Sequence, residues 1–118
     1  MSGNQSDETN GIIDYPSALE RTGDDSEFLT ELLDLYVREF SPAYEKLLTA
    51  VSGKNFTAVR EIGHGLKGSS ANLSLLGLRE AAYRMETAGR EEDAAKAEKA
   101  LADIEKEFQR LQEHLATR

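Results

Sequence analysis

Apolar positions recur at three- and four-residue steps through most of this chain, and they separate into four long stripes and one short one. Pro16, following Asp14-Tyr15, opens a short helix through Ala18 and Leu19 that Gly23 closes, and such a helix would lie as a lid over one bundle end. Asp24-Asp25-Ser26 then supplies caps for a long helix whose stripe is Phe28, Leu29, Leu32, Leu33, Tyr36, Val37 and Phe40. Ser41-Pro42 interrupts that stripe, but Ala43, Leu47, Ala50 and Val51 continue it nearly in phase, which predicts one kinked helix rather than two. Gly53 supplies a stop and Asn55 a cap for the next helix, whose core face is Phe56, Val59, Ile62, Leu66, Ser70 and Leu73. Ser74 is expected to cap a further helix bearing Leu75, Leu78, Ala81, Ala82, Met85 and Ala88 and closed near Gly89. The last stripe, Ala94, Ala97, Leu101, Ile104, Phe108, Leu111 and Leu115, alternates three- and four-residue steps in a charged background.

No alternating strand run or short hairpin signal accompanies these stripes, so the fold class is all-α: an antiparallel, up-and-down four-helix bundle with a short extra N-terminal helix. The last stripe alone also fits a coiled-coil seam, but the three other stripes need something to pack against, which favours the intramolecular bundle. Residues 1–11 are polar and aperiodic and read as a disordered leader; residues 12–118 form the domain.

A chain of 118 residues has room for one modest core and not for a large substrate cavity, which suits a small carrier or binding module. The absence of cysteine removes disulfides, thiolate catalysis and thiolate zinc sites, and the two histidines lie too far apart in the pattern for a metal site. A net charge of −8 without a basic stripe opposes nucleic-acid binding. No apolar run approaches a membrane span, so a cytoplasmic protein is expected.

One stretch does not fit a simple solvated helix: Gly63-His64-Gly65-Leu66-Lys67-Gly68-Ser69-Ser70. His64 lies about 160° from the centre of the apolar stripe at about 100° per residue, and Thr57, Arg60, Glu61, Lys67, Gly68 and Ala71 surround it on the outer face. Each helical glycine costs about 0.8–1.0 kcal/mol relative to alanine, so Gly63, Gly65 and Gly68 together sacrifice about 2–3 kcal/mol. That loss is rational if a bare helix surface lets another protein bring its backbone and a reactive group up to the imidazole. Ser69 and Ser70 are expected to hydrogen-bond the preceding turn, and His114, in the last turn of the last helix, is read as structural or incidental.

His64-Gly65-Leu66-Lys67-Gly68-Ser69-Ser70 resembles the His-x-Leu-Lys-Gly-Ser/Ala-Ser/Ala signature of histidine-containing phosphotransfer (HPt) domains, the phosphocarriers of multistep two-component relays. The helix order from about Asp14 to Leu115, Leu78 at the start of the next stripe and the Met85-Glu86 pair are similar as well. One departure is Ser74, where the family usually has glycine. The resemblance implies that His64 is the phosphorylated nucleophile and that Lys67, one turn on, stabilises the phosphoryl charge. Glu86 falls where relatives can place a polar residue that orients the histidine; an acidic residue there suits an imidazole N–H and repels phosphate. Arg60, Glu61, Gly65, Lys67, Gly68, Ala71 and Glu86 are the expected partner contacts. The implied partners are response-regulator receiver domains and a hybrid or chemotaxis-type histidine kinase. No cofactor is expected on this chain, the Mg²⁺ belonging to the receiver, and ATP is not expected as a ligand. The competing readings are the phosphate-accepting domain of a chemotaxis-type kinase and a non-catalytic helical adaptor with a vestigial histidine.

Overall fold

The computed structural model describes residues 11–117. The expected leader therefore lies outside the described residues except for Gly11, which is part of a turn. Among the described residues the chain forms five helices and no strand: α1 (Tyr15–Arg21), α2 (Ser26–Ser52), α3 (Phe56–Asn72), α4 (Leu76–Glu91) and α5 (Ala94–Ala116). The four long helices make the up-and-down bundle, with α1 as the short addition.

Side-chain caps start most of these helices, as the sequence pattern requires. Asp25 accepts from the Phe28 N–H at 3.0 Å, Asn55 from Ala58 at 3.2 Å and Asp93 from Lys96 at 3.0 Å. The exception is α4, whose N-cap is Leu75 and carries no side-chain cap. Ser74 does not cap it. Its backbone is left-handed (φ 54°) and its hydroxyl donates to Ser17 Oγ at 2.9 Å, so this serine makes the turn and pins α1. The segment before α1 reinforces the same turn: Asp14 N–H donates to the Ser74 carbonyl and Leu76 N–H to the Ile12 carbonyl, at 2.9 and 3.1 Å. Tyr15 Oη lies 2.8 Å from His114 Nε2, which ties α1 to the end of α5 and gives His114 its structural part.

The core runs along the bundle axis through Leu33, Leu47, Val59, Leu75, Met85, Ile104 and Leu111, all buried. Phe40 stacks on Phe108 with centroids 3.6 Å apart, joining α2 to α5. Pro42 lies inside α2, which continues to Ser52, so the interrupted stripe is one helix. Ser70 is fully buried and bonds Tyr36 Oη at 2.8 Å across the α2–α3 interface rather than serving its own preceding turn. Burial pushes the Tyr36 hydroxyl up to about 12, so it is a neutral hydrogen-bonding group at any physiological pH. Phe28 departs from its expected place in the core: it lies in the first turn of α2, past the edge of the bundle, and is 45% exposed.

The most extensive interface joins α3 to α4, and two glycines set its spacing. A Cβ on Gly63 would stand 2.7 Å from the Glu86 backbone nitrogen, and one on Gly89 would stand 2.5 Å from that of Arg60. The expectation for Gly63 needs correction, and Gly89 does more than mark the end of its helix, which closes near it as expected. Gly63 is buried against α4 instead of baring the outer surface, and Gly89 lies within α4, which ends two residues later with Glu92 in the left-handed conformation. The physical reason is the same in both places: the two backbones approach too closely for any side chain.

This generates a contrast between glycines of one stretch. Gly63→Ala should lower stability by about 1–3 kcal/mol, the range for overpacking a well-filled interface, whereas Gly68→Ala should raise it by up to about 1 kcal/mol. Chemical denaturation of the two variants checks both signs.

Candidate functional site

His64 projects from the middle of α3 with its side chain 69% exposed, on the side opposite buried Val59, Leu66 and Ser70. The close approach at Gly63 brings α4 alongside, and Glu86 extends from it to the imidazole. Nδ1 of His64 lies 3.1 Å from Glu86 Oε2, and Nζ of Lys67 lies 2.7 Å from Glu86 Oε1. One carboxylate thus holds both basic groups. Because a carboxylate only accepts, the proton of a neutral His64 ring sits on Nδ1, and the lone pair is left on Nε2, facing outward.

The electrostatics agree with that arrangement. Lys67, then the hydrogen bond from His64, holds the Glu86 carboxyl below its ordinary value of 4.5, overcoming the opposing effect of burial; the Glu86 side chain is only 13% exposed. Tyr83, one turn before Glu86 on α4, sits beneath the Lys67 ammonium with its ring centroid 5.5 Å away. The sequence reading missed Tyr83. Its signal was available, since an aromatic residue off the Leu78, Ala81, Met85 stripe has to face solvent or a neighbouring polar group.

The other expected contacts fall on the same outer surface. Gly65 and Gly68 are exposed, and open space surrounds the position of a Cβ on either; Arg60 and Glu61 are exposed, and Ala71 is half-buried. Glu86 differs from them in that its side chain is largely covered and directed to His64 and Lys67. Beyond the glycines, Ser69 and Asn72 border a groove of about 540 Å³ whose other wall is Phe28, Leu32 and Leu35 of α2. Phe28 and Leu35 are 45% and 40% exposed, so the α2 side of this groove offers apolar area beside Arg21 and Glu39, which also line it.

The family model of the Hpt domain matches residues 31–114, which take in α3, α4 and most of α2 and α5. The chain belongs to the Hpt domain family. Neither the curated proteins nor the solved structures compared with it yield a match. As an Hpt domain, the chain is a histidine phosphotransfer module of phosphorelays, and domains of this family are phosphocarriers rather than autonomous enzymes. Among the described residues, no helix of this Hpt domain is long and apolar enough to cross a membrane.

The shared carboxylate gives the site a defined acid response. A carboxyl whose folded-state value is depressed contributes stability that is complete above the unfolded value near 4.5 and is lost as pH falls through the depressed one. The melting temperature should therefore fall more steeply with acid in the wild type than in Glu86→Gln, and thermal melts between pH 3 and 6 would show the difference.

Proposed function

We propose that this protein carries a phosphoryl group on Nε2 of His64 and exchanges it with the aspartate of receiver domains. The observation that carries the reading is the Glu86 contact on Nδ1, which leaves Nε2 as the exposed, unprotonated nitrogen. An acyl phosphate on the receiver meets that lone pair; the Nε2–P bond forms as the P–O bond breaks, and the aspartate leaves as a carboxylate. The reverse step returns the group. The transition state is loose and spreads its charge over three phosphoryl oxygens, so position and positive charge are the useful contributions. Lys67 supplies the charge from one helical turn away, and its Glu86 partner keeps the ammonium beside the ring.

The receiver would supply Mg²⁺ and the acidic residues that bind it, and this chain needs no cofactor of its own. Exposed Gly65 and Gly68 let the partner's loops reach His64, while the adjoining Phe28, Leu32 and Leu35 offer apolar area to a helix of the receiver. Arg60, Glu61 and Ala71 complete the contact surface. The domain would act in the cytoplasm, downstream of a hybrid or chemotaxis-type histidine kinase. A purely adaptor function is disfavoured by the Glu86–His64–Lys67 cluster, because docking alone needs no fixed tautomer.

Incubation with a phosphorylated receiver should transfer acid-labile, base-stable label to the wild type and none to His64→Gln, with both proteins giving the same helical circular dichroism. Label on His64→Gln would move the carrier elsewhere. Lys67→Ala should slow transfer by about ten-fold, the order expected for one charge-assisted hydrogen bond, without unfolding the bundle. A rate equal to that of the wild type would remove Lys67 from the site.

A further inference from the structure

We propose that Glu86 goes on holding the Nδ1 proton after His64 is phosphorylated, so that phospho-His64 remains a good phosphoryl donor at alkaline pH. The inference rests on the reading of His64 as the carrier and extends it to the return step. Once Nε2 bears phosphorus, the ring can keep its Nδ1 proton as a cation or lose it. With the proton in place, the P–Nε2 bond breaks, its electron pair stays on the ring, and neutral imidazole departs as the new P–O bond forms on the receiver aspartate. Without the proton, the departing group is an imidazolate anion, a far poorer leaving group. No proton has to move in the first route.

The geometry favours that route. Glu86 Oε2 already lies 3.1 Å from Nδ1, and the carboxylate is fixed by the close α3–α4 approach at Gly63. In the free domain its charge is shared with Lys67 at 2.7 Å. A phosphoryl group on Nε2 draws the Lys67 ammonium toward its own oxygens and leaves the ring cation as the main counter-charge of Glu86. An opposite charge at this range favours a charged form strongly, and a neutral amide in the same place would not. Glu86 is thus a positioning residue with an electrostatic task. By helical position the charged neighbours of His64 on α3 are Arg60, Glu61 and Lys67; on α4, Tyr83 lies beneath Lys67 and Arg90, one turn beyond Glu86, turns its guanidinium to Thr87. From α2, Tyr36 meets Ser70 on the buried face, and Glu39 lines the groove that Ser69 and Asn72 border.

The test uses the full chain as wild type, Glu86→Gln and Glu86→Asp, each phosphorylated on His64 from a phosphorylated receiver. Phosphorus and nitrogen NMR would follow protonation of the phosphorylated ring from about pH 6 to 10, and transfer to unphosphorylated receiver would be timed across the same range. Ring deprotonation should occur at distinctly lower pH in Glu86→Gln. Its donor rate should match wild type near pH 6 and fall about ten-fold below it at alkaline pH, as a shift of one unit in the titration midpoint would give. Glu86→Asp, which keeps the charge, should recover part of the alkaline activity. Superimposed titrations, or a rate loss in Glu86→Gln that is the same at every pH, would overturn the proposal and leave the carrier reading standing. A wild-type protein that takes no phosphoryl on His64 would overturn both.

Discussion

The backbone contact between α3 and α4 at Gly63 is the constraint on which the site depends. Helices packed through side chains keep their axes about 8–10 Å apart. Here the absent Cβ lets the Glu86 backbone settle against the turn that carries His64. A short acidic side chain can then reach Nδ1 from the next helix. Gly89 repeats the device one turn away against Arg60, so the approach is held along the interface rather than at a single point. The helical propensity sacrificed at these residues is returned as position.

That position decides the chemistry, because an imidazole free in water distributes its proton between two nitrogens. Glu86 fixes the choice. The carboxylate is itself sustained by Lys67, without which a mostly covered charge would be costly. The three groups are therefore interdependent: the ammonium supports the carboxylate, the carboxylate sets the tautomer, and the ring presents its lone pair outward. Tyr83 beneath Lys67 limits where the ammonium can go and keeps it near the ring.

Around this cluster the surface grades from polar to apolar. Lys67 lies toward α4, whereas Ser69 and Asn72 lie toward α2 and border a groove with its exposed Phe28 and Leu35. A partner centred on His64 would thus find charge on one side and apolar area on the other. Such asymmetry can set the orientation of docking as well as its strength.

Periodicity alone determined the helical class, the number of long helices and the outward placement of His64 and Gly68, because each follows from the angle between residues on one helix. The signature from His64 to Ser70 likewise led directly to the family. What one helix does to another could not be read this way. Gly63 looked like its neighbours Gly65 and Gly68, yet it faces α4; Gly89 looked like a stop signal, yet it is a second point of close approach; and Ser74 looked like a cap, yet it forms a left-handed turn tied to Ser17. A glycine or serine has the same propensities in either setting, so only the packed partner distinguishes them. The carboxylate of Glu86 falls under the same rule. Its place in α4 is written in the sequence, but its simultaneous contact with Nδ1 of His64 and Nζ of Lys67 exists only because tertiary packing brings α4 within reach of α3.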